Sequence, residues 1–130
     1  MKRDIAEAWV AALRSEEYTQ TQGTLCAPNA AGTQMDHCCL GVLTDLGIQA
    51  GHLSGSEIMA SYLSEATMEW AGIISGHNPA ILIPKDWDNN NIAQDIPKVH
   101  PRVRSLGAVN DSGRHFKEIA DLIEEQWEDL

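Results

Sequence analysis

The stretch Asp36-His37-Cys38-Cys39-Leu40-Gly41-Val42-Leu43-Thr44-Asp45-Leu46-Gly47 constrains the fold more than any other. Cys39, Val42, Leu43 and Leu46 recur at i, i+3, i+4 and i+7, the spacing that lines one face of a helix, so a short buried helix is expected. Gly47 follows the last periodic residue, where a left-handed cap suits a residue without Cβ, and Ile48 is placed to fold back on the last turn. Before Cys39 the period is lost. Residues 34–38 stand opposite an extended run over 18–26, across a loop of Ala27, Pro28, Asn29, Ala30, Ala31 and Gly32. A hairpin leading into the helix is predicted.

Elsewhere the pattern is mostly helical. Ile5, Trp9, Ala12 and Leu13 share one side of a helix over 4–15, with Arg3, Glu7 and Arg14 toward water. Ser54 and Glu57 have capping-box spacing and predict a helix with Ile58, Met59, Tyr62 and Leu63 inward. A second start at Ser64 runs through Met68, Trp70 and Ala71 to Gly72. The apolar run 79–84, bracketed by prolines, suits a brief strand, and 85–101 reads as a long irregular loop. Val103, Leu106 and Val109 predict a short helix before a turn at Asn110, Asp111, Ser112 and Gly113. Phe116, Ile119, Ala120, Ile123 and Trp127 then predict the clearest helix of the chain.

At 130 residues the chain reads as one domain, 1–130, able to build a core without disulfide or metal. Its net charge of −10 opposes attraction to nucleic acid or an anionic membrane. The nearest basic residues, Lys98, Arg102, Arg104 and Arg114, are flanked by acids. No apolar run reaches signal-peptide or membrane-spanning length, and three cysteines with Cys38 and Cys39 adjacent fit a reducing compartment. A soluble protein of the host-cell cytoplasm is the expectation.

Three ordered blocks carry a family resemblance: Trp9-Val10-Ala11-Ala12-Leu13-Arg14-Ser15 with Tyr18 and residues 20–25; Cys38-Cys39-Leu40-Gly41-Val42-Leu43; and residues 106–111 with 116–124. Together with Met68-Glu69-Trp70-Ala71-Gly72-Ile73 and Asn78-Pro79, they resemble a family of small uncharacterised proteins encoded by tailed phages and prophages. The resemblance covers most of the chain and implies a phage setting, with no established activity. Members of that family place a small hydroxyl residue where this chain has His115, the expected N-cap of the last helix, and imidazole is a poorer cap.

The candidate chemistry is sparse. Cys26, His37, Cys38 and Cys39 lack the paired C-x2-C spacing of a tetrahedral zinc site, and buried thiols are the simpler reading. A cysteine nucleophile at a helix start beside His37 lacks an orienting third group. No H-E-x-x-H, P-loop or G-x-G-x-x-G occurs. The turn at Asn110, Asp111, Ser112, Arg114 and His115 feeds into a helix and offers hydroxyl, amide and guanidinium donors for an anion, against the alternative of an ordinary turn and cap. Gln20, Gln22 and Thr24 would share one polar face of the hairpin strand. Glu118, Asp121, Glu125 and Glu128 form an acidic stripe on the last helix.

These features predict an α+β fold, a small antiparallel hairpin packed on several helices, with Trp9, Leu13, Cys39, Val42, Leu43, Leu46, Trp70, Phe116, Ile119 and Ile123 in the core. They favour binding over catalysis, with no cofactor and no metal. The first expectation is a phage accessory protein that counters host defence by sequestering a small signalling nucleotide through Gln20, Gln22, Asn110, Asp111, Ser112, Arg114 and His115. The alternatives are an inhibitor that engages a basic host protein through the acidic helix, and a thiol- or zinc-dependent enzyme. A homo-oligomer stays open.

Overall fold

The computed structural model describes residues 1–96 and 100–130. Pro97 and Lys98, assigned above to the long loop and the basic group, lie outside the described residues. The fold is α+β, with five α-helices and two small antiparallel two-stranded sheets among the described residues.

Helix α1 spans Arg3–Arg14, with Asp4 in its first turn and Arg14 in its last, each matching the charge of the nearer helix end. Its apolar stripe, Ile5, Trp9, Val10 and Leu13, is buried. Helix α2, Cys39–Gln49, is the centre of the molecule. Cys39, Leu40, Gly41, Val42, Leu43 and Thr44 are all buried in succession, so the first half of α2 is covered on every side. Trp9 donates its indole N–H to the Cys39 carbonyl at 2.9 Å and ties α1 to the first turn of α2.

Gly47 departs from its predicted role. It lies inside α2, and a Cβ there would come within 2.4 Å of Leu53 Cδ1 and 2.9 Å of Trp70 Cζ3. Gly47 therefore permits a close approach, and the left-handed turn after the helix falls at Gly51, with φ +79°. Gly41 is tighter still: a Cβ there would sit 1.8 Å from the Leu25 carbonyl oxygen.

The hairpin is shorter than predicted. Strand β1, Cys26–Pro28, pairs with β2, Met35–His37, in the register Cys26 to His37, Ala27 to Asp36 and Pro28 to Met35. Residues 18–25 are not part of that strand. Gln20 forms a single parallel bridge with His37, Gly23 turns with φ +79°, and Leu25 donates to the Ala60 carbonyl at 2.9 Å. His37 of β2 takes up residues 19–21, accepting from Thr21 N–H and donating to the Thr19 carbonyl, each at 2.9 Å, while partners outside the hairpin hold Gly23 and Leu25, so Gln20, Gln22 and Thr24 do not share a strand face. The segment predicted as a loop supplies β1.

The capping signals at Ser64 and Gly72 enclose α3, Glu65–Ala71, as expected, with Gly72 left-handed. Ser54 caps only a 3₁₀ turn, Gly55–Ile58, and Met59 and Tyr62 point outward at 80% and 56% exposure while Leu63 is buried. The predicted inward pair therefore fails, because the turn ends before helical periodicity can place it.

Strand β3, Ala80–Leu82, pairs with β4, Val103–Ser105. Val103 belongs to this strand, and the short helix α4 covers Leu106–Asp111. The amide of Gln126 closes the outer edge of β3, since Leu82 N–H donates to Oε1 and Nε2 donates to the Leu82 carbonyl, each at 2.9 Å. Gln126 ends α5, Phe116–Gln126, which packs along α1. Of the predicted core, Leu46 and Trp70 are partly buried and the others are buried.

Buried His37 has an Nδ1 without a hydrogen-bond partner among the described residues and stacks edge-on against Tyr18 with centroids 5.1 Å apart. Burial pushes its imidazole pKa below the ordinary value of 6.5, against the opposing pull of Asp45 and Asp36. The unfolded chain then binds this proton more tightly than the folded one. Stability is therefore full above about pH 6.5 and falls as pH drops toward the folded-state value. We expect urea midpoints to decline from pH 7 to 5, with a shallower decline in His37→Phe. In the same assay Gly41→Ala should cost about 3 kcal/mol, although Gly→Ala inside a helix is ordinarily favourable.

Candidate functional site

Two clefts meet at Asn91 and Ser112. The first, about 380 Å³, is lined by Asp88, Asn91, Ile92, Ser112, Gly113, Arg114, His115 and Glu118. The second, about 280 Å³, lies between the bend at Gly23 and Thr24, the outward Tyr62, Asn78, Asp95 and the α4 residues Gly107, Ala108 and Asp111. Both share a wall from the described part of the long loop, and that wall is anchored. Ile92 is buried, and its carbonyl accepts from Nε of buried Arg104 at 3.2 Å. Asp95 accepts from the Ser105 amide at 3.1 Å and from the Ser105 hydroxyl.

The 112–115 turn is set by what flanks it. Ser112 donates its hydroxyl to the Val109 carbonyl at 2.6 Å, and Gly113 takes φ +92°. Arg114 lies with Cζ 3.9 Å from the centroid of the Trp87 ring, and its Nη1 pairs with Glu118 at 3.0 Å. Its Nε and Nη2 have no acceptor among the described residues, so they are the donors left to a ligand. Glu118 also accepts from the His115 amide at 3.1 Å, one half of a capping box.

The candidate residues thus divide. Ser112, Arg114 and His115 share the larger cleft, and Asp111 and Ser112 the smaller. Gln20 and His115 line a separate groove of about 450 Å³ with Tyr18, Phe116 and Lys117, and Gln22 is exposed without a side-chain partner among the described residues. Asn110 lines none of these. It is fully buried, its Oδ1 accepting from Cys39 N–H and from Gln20 Nε2, each at 3.0 Å. Its Nδ2 donates to the Thr21 carbonyl at 2.8 Å and to Asp111 at 3.2 Å. All four hydrogen-bonding positions of this amide are used, which makes it scaffold. Asn91, Tyr62, Asn78 and Asp95 line these clefts and Trp87 backs Arg114, none of them among the residues expected from sequence; only the length of the loop after Ile83 pointed toward three of them.

The thiols are chemically quiet. Cys38 is the N-cap of α2, its sulfur accepting from Gly41 N–H at 3.4 Å. It lines the floor of the smaller cleft but is only 4% exposed, and Cys39 is fully buried. Burial pushes both thiols above their ordinary pKa, with Asp111 adding to it, so both stay protonated at neutral pH. Cys26 is partly buried and shifted upward for the same reason. No group of three or more His, Cys, Asp or Glu side chains converges among the described residues.

The acidic stripe is partly spoken for. Arg14 pairs with Asp121 at 2.6 Å and Glu124 at 2.5 Å, and Glu118 is held by Arg114, leaving Glu125 and Glu128 exposed. No helix is long and apolar enough to cross a membrane among the described residues.

A small α+β domain with polar clefts around a buried helix is the class this arrangement defines. The chain belongs to the DUF8296 family, a domain of unknown function, whose model matches residues 1–127. Searches of curated proteins and of solved structures find no match.

Asn110→Ala leaves the Cys39 amide and the Thr21 carbonyl without partners and should cost about 3 kcal/mol, read as a fall in Tm of roughly 10 °C. Asn110→Asp should destabilise as well, because an oxygen would then face the Thr21 carbonyl. In native protein at pH 7.5, iodoacetamide should leave Cys38 and Cys39 unmodified, with both labelled once urea unfolds the chain.

Proposed function

We propose that this protein is a phage accessory protein that acts by stoichiometric binding, holding a small signalling nucleotide of low charge in the cleft between Asp88 and the 112–115 turn. The phage setting rests on the resemblance of the three sequence blocks. The binding reading rests on Arg114, whose Cζ packs over the Trp87 ring and whose Nε and Nη2 have no acceptor among the described residues. A guanidinium held in this way meets a phosphoryl group with little ordering left to do.

The same cleft limits the charge of its ligand. Asp88 and Glu118 line it with Arg114, and the adjoining cleft adds Asp95 and Asp111. A triphosphate would be repelled, whereas a cyclic mononucleotide brings a single negative charge to the one arginine. The protonated, buried thiols support holding over transformation. The Arg14 and Arg114 pairings reduce the charge available to an acidic-helix inhibitor.

Equilibrium dialysis against cyclic mononucleotides, cyclic dinucleotides, ADP-ribose-type compounds and nucleoside triphosphates tests this, with heat release to show the ligand intact. Uptake at one per chain, strongest for a singly charged cyclic compound, is expected. Arg114→Gln should weaken it roughly tenfold, and Glu118→Gln should strengthen it. If no member of the panel is retained, nucleotide binding is wrong.

A further inference from the structure

We infer that the cleft lined by Tyr62, Asn78 and Asp111 is a subsite for an uncharged ring, the ribose or base of a nucleoside, with Tyr62 as its stacking surface. The inference rests on the nucleotide reading above and extends it, because this cleft joins the arginine cleft at Asn91 and Ser112. About 280 Å³ is roughly the volume of nine waters, room for a ring system. With about 380 Å³ alongside, the pair reaches the range of small-molecule sites.

The lining selects against charge and for hydroxyls. Asp95 and Asp111 face this space and no cation does among the described residues, so a second anionic group is excluded. Three polar groups have unused capacity among the described residues: Asp111 Oδ2 as acceptor, Asn78 Nδ2 as donor, and the Tyr62 hydroxyl as either. Leu40, Ala93, Ala108 and the neutral Cys38 thiol supply apolar contact.

Two of these polar groups are held in place. Asn78 Oδ1 accepts from Gly107 N–H at 2.9 Å, and a Cβ at residue 107 would come within 2.9 Å of the Asn78 amide. Asp111 Oδ1 accepts from Gly23 N–H at 3.0 Å, which leaves its other oxygen fixed in direction. Tyr62 is a large aromatic side chain left 56% exposed at the rim, and stacking against a ring would cover it.

The test compares wild type, Tyr62→Ala, Tyr62→Phe, Asn78→Ala, Gly107→Ala and Arg114→Gln in dialysis against a cyclic mononucleotide, the matching neutral nucleoside and inorganic phosphate, with thermal melts confirming folding. Tyr62→Ala should weaken the cyclic nucleotide and the nucleoside roughly tenfold and leave phosphate unchanged, while Tyr62→Phe stays near wild type. Gly107→Ala should weaken both by displacing the Asn78 amide. Wild-type nucleotide binding in Tyr62→Ala and Asn78→Ala, with loss only in Arg114→Gln, would overturn the subsite and leave the nucleotide reading standing. If the intact protein takes up no cyclic nucleotide, that reading falls, and the nucleoside arm decides alone. Tyr62-dependent nucleoside uptake then supports the subsite, and no uptake refutes it.

Discussion

The buried amide of Asn110 is the constraint on which the rest of this structure depends. Three segments distant in sequence meet at it: the N-terminus of α2 through Cys39, the 20–21 stretch through Gln20 and Thr21, and α4 through Asn110 and Asp111 themselves. An amide wholly removed from water and fully partnered rigidifies its surroundings, whereas loss of any partner strands a polar group in a dry interior. That requirement sets the distance between α2 and α4. Between the same two helices, Cys39 Sγ approaches the Leu106 carbonyl at 3.7 Å, and Trp9 reaches the Cys39 carbonyl from the other side.

Close backbone contact is the second theme around α2. Leu25 passes over Gly41 so tightly that only a missing Cβ permits it, and the Leu25 carbonyl then accepts from Cys38 N–H at 3.1 Å. The central helix is thus seated by the Leu25 backbone at its start and by Leu53 and Trp70 at Gly47. Its first half is apolar on nearly all sides for this reason, while Asp45 and Gln49 in its second half reach toward water.

Local chemistry made much of the architecture legible. The periodic stripes of α1 and α5, and the Ser64 and Gly72 boundaries of α3, are written in residues a few positions apart. Features that depend on distant partners were not legible. The run at 18–25 has strand-like composition, yet Leu25 pairs with Ala60 and Gly23 with Asp111, and neither partner is visible locally. A glycine at a helix end and one beneath a crossing side chain look alike in sequence, which is why Gly47 was misplaced. Ser112, Arg114 and His115 line one cleft, and their grouping was legible because a polar turn before a helix is a local signal. Asn110 belonged to the same turn by composition, and only burial separates it. Tyr62 and Asn78 come from separate connections and meet α4 in one cleft, as Trp87 meets Arg114, and these meetings exist only in three dimensions.

The Gln126 amide that spans Leu82 has a consequence for how this protein behaves in company. A two-stranded ribbon would otherwise present a free main-chain rim, the template on which another molecule's extended segment assembles into a growing ladder. Here one side chain imitates an adjoining strand by filling both the donor and the acceptor of Leu82. The outermost rung of the sheet is thereby occupied from within the same molecule, and lateral polymerisation has no foothold at that residue.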